Sequence, residues 1–272
     1  MAKAIAVCNQ KGGVGKSTTA VNIGAYFAKA GLRTLLIDLD PQGNATISCG
    51  LNRAGLTSTV YEALVNGEGA EEAIVPSVVE RLDVLPSRID LADVELKFAQ
   101  GEHREASLRQ LCEPLKTRYD ALLFDCPPSL GFLTLNALVA ADFVLIPVQC
   151  EYLALEGLTA LVRSIDLIKR DLNPGLEIGG IVLTMADLRA NLTREVSDEV
   201  RGFFKELVFD TSIPRNVRLA ECPSFGKPIC LYDPASHGAV AYERLANELK
   251  ERILDKAIQG SPALAPAEPT VS

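Results

Sequence analysis

A glycine-rich loop near the start of the chain carries the residues best suited to binding phosphate. Residues 11–18 read KGGVGKST and lie between an apolar segment, residues 4–8, and a helical pattern that starts at Ser17. In such a strand–loop–helix unit, backbone N–H groups and the positive end of the helix converge on one anion. Lys16 can reach the outer phosphates of a nucleotide, and the Ser17 hydroxyl can bind Mg²⁺. We expect a bound nucleotide to contact Lys11, Gly12, Gly13, Val14, Gly15, Lys16, Ser17 and Thr18.

The loop departs from the standard phosphate-binding pattern at one position. The pattern G-x-x-x-x-G-K-S/T requires a glycine where this chain has Gln10. A second lysine, Lys11, follows immediately inside the loop. The sequence therefore predicts a variant phosphate-binding loop with two lysines.

Acidic side chains follow two other predicted strands. Asp38 and Asp40 lie at the end of a buried apolar strand, where the two-residue period of a strand places them on one side. Asp125 ends a second apolar strand, residues 121–125. Ligands of open α/β sheets bind at the carboxyl ends of the strands, so these carboxylates can face the phosphates. We predict a metal site formed by Ser17 and Asp125, with Asp38 in its second shell.

Alternating strands and helices must position these side chains. The strand patterns cover residues 4–8, 33–38, 82–85, 121–125, 143–148, 178–185 and 208–213. The helical patterns cover residues 17–30, 104–115, 134–140, 152–172, 193–206 and 239–258. Such alternation predicts parallel βαβ units. We therefore predict one α/β domain over residues 1–258, with a mostly parallel twisted sheet and helices on both faces, and a disordered Pro/Ala-rich tail over 259–272.

Composition narrows the class of protein. The chain has 272 residues, 48% of them apolar, and a net charge of −8. No run of about eighteen apolar residues and no signal-peptide pattern occurs, so we expect a cytoplasmic protein. The negative charge means that any contact with DNA requires a local basic patch. The seven cysteines are scattered and form no C-x-x-C pair, which favours small buried side chains over disulfides or a zinc site.

Several segments together resemble one family. Residues 11–18 resemble the deviant Walker A motif of the ParA/MinD class of P-loop ATPases. The sequence DLDPQGN at 38–44 resembles the switch I of that class, and DCPPSLG at 125–131 resembles its switch II. The segments VQCEYLALEG at 148–157 and IPRNVR at 213–218 are similar to the chromosomal ParA/Soj partition ATPases. The resemblance covers about residues 2–255.

This resemblance implies a function and its residues. It implies ATP and Mg²⁺ as cofactors and a homodimer in which Lys11 reaches the nucleotide of the partner subunit, as an arginine finger does in other NTPases. The aspartate matching Asp40 positions or activates the attacking water, so the implied catalytic residues are Lys11, Lys16 and Asp40. The residues implied to lie near the adenine are Met185, Pro214 and Asn216.

The resemblance also implies partners. Arg189 and Arg218 match positions where the family carries DNA-binding arginines, and a dimer doubles every such side chain. We therefore expect the ATP dimer to bind nonspecific double-stranded DNA and to be nucleoid-associated. A ParB-type centromere-binding protein would accelerate a slow hydrolysis. Where some members carry further basic residues, this chain has Ala235, Ser236 and His237, which weakens the expected DNA contact.

Three other functions remain open at this point. MinD-like attachment to a membrane would use a basic amphipathic C-terminal helix, whereas residues 239–258 mix acids and bases, so we expect no membrane partner. A ParA-like protein could instead position a protein cargo with the same core. Metabolic relatives, such as iron–sulfur reductases or ATP-dependent carboxylases, are a third class; the former need paired cluster cysteines, and Cys126 has no matching partner in the sequence.

Overall fold

A seven-stranded sheet forms the centre of the computed structural model, which describes residues 2–67, 69–94, 97, 104–152, 154–187 and 189–255. The strands are β1 (Lys3–Val7), β2 (Thr34–Asp38), β3 (Val75–Pro76), β4 (Leu82–Leu85), β5 (Ala121–Asp125), β6 (Phe143–Gln149) and β7 (Glu177–Thr184). Their order is β3-β4-β2-β5-β1-β6-β7. All neighbouring pairs are parallel except β3 and β4. The carboxyl ends of β1, β2 and β5 therefore lie side by side in the middle of the sheet.

Helices connect these strands. The α-helices are α1 (Lys16–Lys29), α2 (Asn44–Ser48), α3 (Val60–Asn66), α4 (Ala70–Ala73), α5 (Ser107–Cys112), α6 (Phe132–Ala140), α7 (Ala154–Asp171), α8 (Asn191–Phe204), α9 (Val217–Glu221), α10 (Ile229–Tyr232) and α11 (His237–Lys250). Short 3₁₀ turns cover Arg53–Gly55, Ile89–Asp93, Arg104–Ala106, Leu115–Thr117, Lys205–Leu207 and Cys222–Phe225, and a π turn covers Glu251–Asp255.

The sheet separates two hydrophobic cores. In β1, Ala4 and Ala6 belong to the core shared with α3 to α8, whereas Ile5 and Val7 belong to the core shared with α1, α2 and α9 to α11. This alternation follows from the pleat, which points successive side chains to opposite faces. The predicted fold, a mostly parallel sheet with helices on both faces, is confirmed.

The predicted strand at residues 208–213 is wrong. The segment makes one isolated bridge, Val208 with Ile181, and a second bridge joins the next residue, Pro214, to Ala186. Backbone N–H groups of Phe209 and Ile213 do bond to β7, at 2.9 and 2.8 Å, but the residues between them leave the ladder. The sequence analysis also missed β3, which is two residues long, ends in Pro76 and pairs antiparallel at the sheet edge, where a missing N–H is tolerated.

Two predicted helices are shorter than their patterns. The predicted helix 104–115 is a 3₁₀ turn followed by α5, which ends before Pro114, since proline has no N–H for the helical ladder. The predicted helix 239–258 corresponds to α11, which begins at His237 and gives way to a π turn at Glu251. Residues 256–258 and the predicted tail 259–272 lie outside the described residues.

The cysteines are buried, as predicted. All seven are free thiols in the structure. The described residues contain no group of three or more His, Cys, Asp or Glu side chains placed to hold a metal ion. Within the same ranges, no helix combines the length and the apolar character needed to cross a bilayer.

Candidate nucleotide-binding site

The loop between β1 and α1 leaves its backbone open to a ligand. Gly13 and Gly15 have φ values of 76° and 88°, in the left-handed region where a side chain is strained. A Cβ at either position would meet no atom within 4 Å, so space lies over both glycines. Gly15 is the N-cap of α1 and provides no side-chain cap, so the first N–H groups of α1 remain available to an anion.

Side chains from the neighbouring strands hold this loop. Asn9 donates to the carbonyl of Pro147 at 2.7 Å and accepts from the N–H of Lys11 at 3.0 Å. The Thr184 hydroxyl donates to the carbonyl of Val14 at 2.9 Å. The loop is thereby fixed to the ends of β6 and β7. Neither Asn9 nor Thr184 was predicted as a site residue, because a polar residue at the end of a strand is by itself a weak signal of function.

Lys16 is enclosed by the loop. Its side chain is only 7% exposed, and Nζ donates to the carbonyl of Lys11 at 3.0 Å. Burial lowers the pKa of Lys16, and the negative charge of the nearby Asp125 carboxylate offsets part of this shift. The ammonium group thus lies between the loop backbone and the strand-end carboxylates, where it can neutralise phosphate charge.

Asp125 is buried with both carboxylate oxygens unsatisfied. It is fully enclosed, and neither oxygen accepts a hydrogen bond of good geometry from the described residues. Burial raises its pKa well above the usual range, and the adjacent Asp38 adds to the rise. Ser17 is close enough to lower that pKa in part, without satisfying either oxygen. Free carboxylate oxygens beside a hydroxyl are the donors that Mg²⁺ prefers, so Ser17 and Asp125 fit this ion.

Asp38 lies beside Asp125, but its oxygens are already engaged. The register of β2 and β5 pairs the two aspartates directly. One oxygen of Asp38 accepts from the N–H of Asp40 at 3.1 Å. The other accepts from the N–H of Thr46 at 2.8 Å and from its hydroxyl at 2.7 Å. Burial raises the pKa of Asp38 to about 6, against the effect of these donors. Both oxygens of Asp38 thus already accept hydrogen bonds that hold the loop after β2, which fits a place behind the ion.

Asp40 is the second acid of that loop. It is 7% exposed, and Oδ1 accepts from the N–H of Gln42 at 2.9 Å. Its backbone carbonyl accepts from the Ser87 hydroxyl and from the N–H of Gly43, both at 2.8 Å. Within the described part of the chain, no donor reaches the other carboxylate oxygen. Asp40 is thus fixed by its backbone and retains a free acceptor.

A separate apolar cavity lies at the start of α1. It has a volume of about 220 Å³. Its lining residues are Gly15, Thr18, Thr184, Met185, Ile213, Pro214, Arg215, Asn216, Leu219, Ala220 and Tyr242. The structure therefore brings together the three residues predicted to lie near the adenine and joins them to the phosphate loop. Asn216 also caps α9, where its Oδ1 accepts from the N–H of Arg218 at 2.8 Å, leaving the amide N–H₂ for a ligand.

The Lys11 side chain contacts an acidic residue of its own chain. Its side chain is 55% exposed and forms an ion pair with Glu151, which follows β6. A role at the nucleotide of a partner subunit would require this pair to open. The structure of one chain therefore leaves the predicted contact between Lys11 and the nucleotide of a partner subunit as a prediction.

The two arginines predicted to bind DNA are both paired with acids. Arg189 has a side chain 92% exposed and bonds Asp187 through two nitrogens, at 2.9 and 3.2 Å. Arg218 is 55% exposed and lies 3.1 Å from Glu221 and 3.4 Å from Asp233. Each arginine thus lies beside at least one carboxylate that offsets part of its positive charge.

Comparisons with known proteins agree with this geometry. Residues 2–178 match the family described as AAA domain. The chain is 53% identical over 248 residues to the Chromosome partitioning protein ParA of Myxococcus xanthus. The aligned region covers 91% of this chain and 88% of that relative. The chain is also 51% identical over 249 residues to the Sporulation initiation inhibitor protein Soj of Bacillus subtilis, covering 92% and 98%. The chain belongs to the ParA/Soj family of P-loop ATPases.

Solved structures show the same fold. A Cobyrinic Acid a,c-diamide synthase from Mycobacterium smegmatis, with bound ADP and magnesium, has a TM-score of 0.81 and 36% identity, covering 98% of this chain and 100% of its own. A plasmid partition protein from Borrelia burgdorferi bound to AMPPNP has a TM-score of 0.75 and 26% identity, covering 94% and 100%. The ParA/Soj prediction is confirmed, and the expected ATP and Mg²⁺ agree with the ligands of these neighbours.

Proposed function

We propose that this protein is an ATP-dependent switch that dimerises with ATP, binds nonspecific DNA as the dimer, and drives chromosome or plasmid segregation. The observation that carries this proposal is the convergence of the phosphate loop, Asp40, Asp125 and the apolar cavity at one edge of the sheet. The names of the ParA relatives support a role in partitioning. A ParB-type centromere-binding partner would stimulate hydrolysis.

The proposed nucleotide contacts follow from the geometry. The backbone of residues 12–18 and Lys16 would hold the phosphates of ATP, and Met185, Pro214 and Asn216 would hold the adenine. Ser17 and Asp125 would bind Mg²⁺, with Asp38 behind them. When bound, the ion would neutralise charge on the β- and γ-phosphates. Asp40 would orient the attacking water through its free oxygen, since positioning and charge account for most of phosphoryl-transfer catalysis.

Dimerisation would recruit Lys11. In one chain its ammonium group is paired with Glu151, so hydrolysis lacks one cation until a partner subunit presents its nucleotide. A cation supplied from another subunit is an established way to stabilise charge in phosphoryl transfer. We therefore propose that a slow single-chain reaction becomes competent only in the ATP dimer.

DNA binding would also depend on the dimer. The chain carries a net charge of −8, and Arg189 and Arg218 are each held by neighbouring acids. A single copy would attract DNA weakly, whereas two copies double the phosphate contacts on one surface. Nucleotide state would thereby control attachment to DNA.

The test is binding to nonspecific duplex DNA with ATP, with ADP and without nucleotide, for wild type and Asp40→Ala. We expect binding only with ATP and stronger binding by Asp40→Ala, because the variant holds the ATP dimer. Gln42→Ala, a change in the same loop, serves as the matched control. Binding that ignores the nucleotide would overturn the proposal.

A second arm separates the alternatives. Cosedimentation with anionic liposomes in the presence of ATP would reveal MinD-like membrane attachment. ATP-dependent liposome binding without DNA binding would replace the proposed DNA surface with a membrane surface. Dimerisation with neither activity would instead favour positioning of a protein cargo.

A further inference from the structure

We infer that Thr46 and Ser87 are positioning residues that hold Asp40 in place for hydrolysis, an inference that rests on the proposed role of Asp40. Neither residue belongs to the phosphate loop or to the predicted metal site. Both are fully buried, and together they connect the segment after β2 to the segment after β4.

Thr46 uses its hydroxyl in two directions. Oγ1 donates to Asp38 at 2.7 Å and accepts from the N–H of Ser87 at 3.0 Å. The Thr46 N–H donates to the same oxygen of Asp38 at 2.8 Å. A hydroxyl can donate and accept at once, whereas the isosteric valine side chain can do neither. The Thr46 hydroxyl therefore connects Asp38, at the end of β2, to Ser87, which follows β4.

Ser87 carries the connection to the catalytic loop. Its backbone N–H bonds Thr46, and its own hydroxyl donates to the backbone carbonyl of Asp40 at 2.8 Å. The Asp40 N–H in turn donates to Asp38 at 3.1 Å, which closes a ring of hydrogen bonds. Both polar groups of the Asp40 backbone thus bond within this ring, and the carbonyl accepts in addition from the N–H of Gly43 at 2.8 Å.

The ring has a direct consequence for chemistry. Asp40 can orient water only if its carboxylate is held at one position, and a displacement of about 1 Å can lower a rate by up to about 10²-fold. No residue outside the ring bonds the Asp40 N–H in the described part of the chain. Breaking the ring should therefore slow hydrolysis more than it weakens nucleotide binding.

Helix α2 offers a matched control. Ser48 lies one half-turn from Thr46 and is also largely buried, but its hydroxyl donates to the carbonyl of Asn44 in its own helix at 2.7 Å. Ser48→Ala removes a buried hydroxyl from the same helix without touching the ring. Ser87→Ala removes the hydroxyl that bonds the Asp40 carbonyl at 2.8 Å, together with its longer contact to the carbonyl of Arg88 at 3.5 Å, and keeps the N–H that Thr46 accepts.

The experiment measures kcat and KM for ATP hydrolysis and the melting temperature of each variant. We expect Thr46→Val and Ser87→Ala to lower kcat about tenfold with KM changed less than about twofold. Thr46→Ser should restore most of kcat, and Ser48→Ala should keep it. If Thr46→Val does not fold, Ser87→Ala decides the question alone, since it removes a single hydroxyl and leaves Thr46 bonded to Asp38.

Three results would overturn the inference, and they can be told apart. If Asp40→Ala abolishes hydrolysis while Ser87→Ala and a folded Thr46→Val keep wild-type kcat, the positioning role falls and the role of Asp40 stands. If Asp40→Ala itself keeps wild-type kcat, the proposed role of Asp40 falls and the inference falls with it. An equal loss of kcat in Ser48→Ala would also overturn it, because the effect would then not belong to the ring.

Discussion

The nucleotide site and the two candidate DNA-binding arginines differ in how strongly the fold determines their side chains. Lys16 and Asp125 are buried, and the loops that carry the site are bonded to β6, to β7 and to the segment that follows β4. Arg189 and Arg218 are exposed and bond acids close by in sequence or space. The fold of one chain therefore fixes Lys16 and Asp125, whereas the two arginines are held only by exposed ion pairs that a DNA phosphate would have to displace.

The physical origin of this difference is solvent. A buried charge must be compensated by specific partners, so removing one leaves the other unsatisfied at high cost. An exposed ion pair is screened by water and salt and contributes little. Substitutions in the nucleotide site should accordingly have large effects, those at the arginines small ones, and those at the half-exposed Lys11 intermediate ones.

The largest effect is expected for Asp125→Asn. The change removes the carboxylate that fits Mg²⁺, so the rate of ATP hydrolysis should fall about 10²-fold to 10³-fold. Added Mg²⁺ should no longer strengthen ADP binding. Hydrolysis rates and a Mg²⁺ titration of ADP affinity provide the measurement. Asp120→Asn, just before the same strand and bonded to Arg33, is the control that should retain both properties.

Lys11 tests whether the nucleotide site of one chain is complete. If Lys11 acts across a dimer, Lys11→Ala and Asp40→Ala should each hydrolyse ATP at about a tenth of the wild-type rate or less when alone, a smaller loss than that of Asp125→Asn. An equal mixture should regain about a quarter of wild-type hydrolysis, because half of the dimers contain one complete site. A mixture as inactive as its components would place Lys11 in its own site and remove the need for a partner subunit.

The smallest effects are expected at the arginines. Arg189→Ala and Arg218→Ala should each weaken binding of the ATP dimer to duplex DNA about threefold to tenfold and reduce the salt slope by about one per lost contact. Arg170 is the matched control, since it too is exposed and bonds an adjacent acid, Asp171, through two nitrogens. An equal loss in Arg170→Ala would show that the effect reports overall charge and not a defined surface.

The same contrast explains what the sequence could predict. The phosphate loop and the strand-end aspartates occupy fixed spacings within single strand–loop–helix units, so local patterns place them correctly. Met185, Pro214 and Asn216 come from two distant segments and were expected together only through the family resemblance.

No local sequence pattern indicated the contacts between segments that are far apart in the chain. The bonds from Ser87 to Asp40 and from Thr184 to Val14 join residues 47 and 170 positions apart, so no local pattern reveals them. The pairing of Arg218 with Asp233 is also a product of the folded surface. The segment 208–213 has the composition of a strand, yet its bonds to β7 are interrupted.

The most direct test of the account is the mass of Asp40→Ala in solution, measured by light scattering with Mg²⁺ and either ATP or ADP. The account predicts the mass of two chains with ATP and of one chain with ADP. It also predicts that adding Lys11→Ala to the same chain weakens the ATP dimer, because the lysine would no longer reach the partner's nucleotide. An identical mass with ATP and ADP would contradict the central claim that the nucleotide controls assembly.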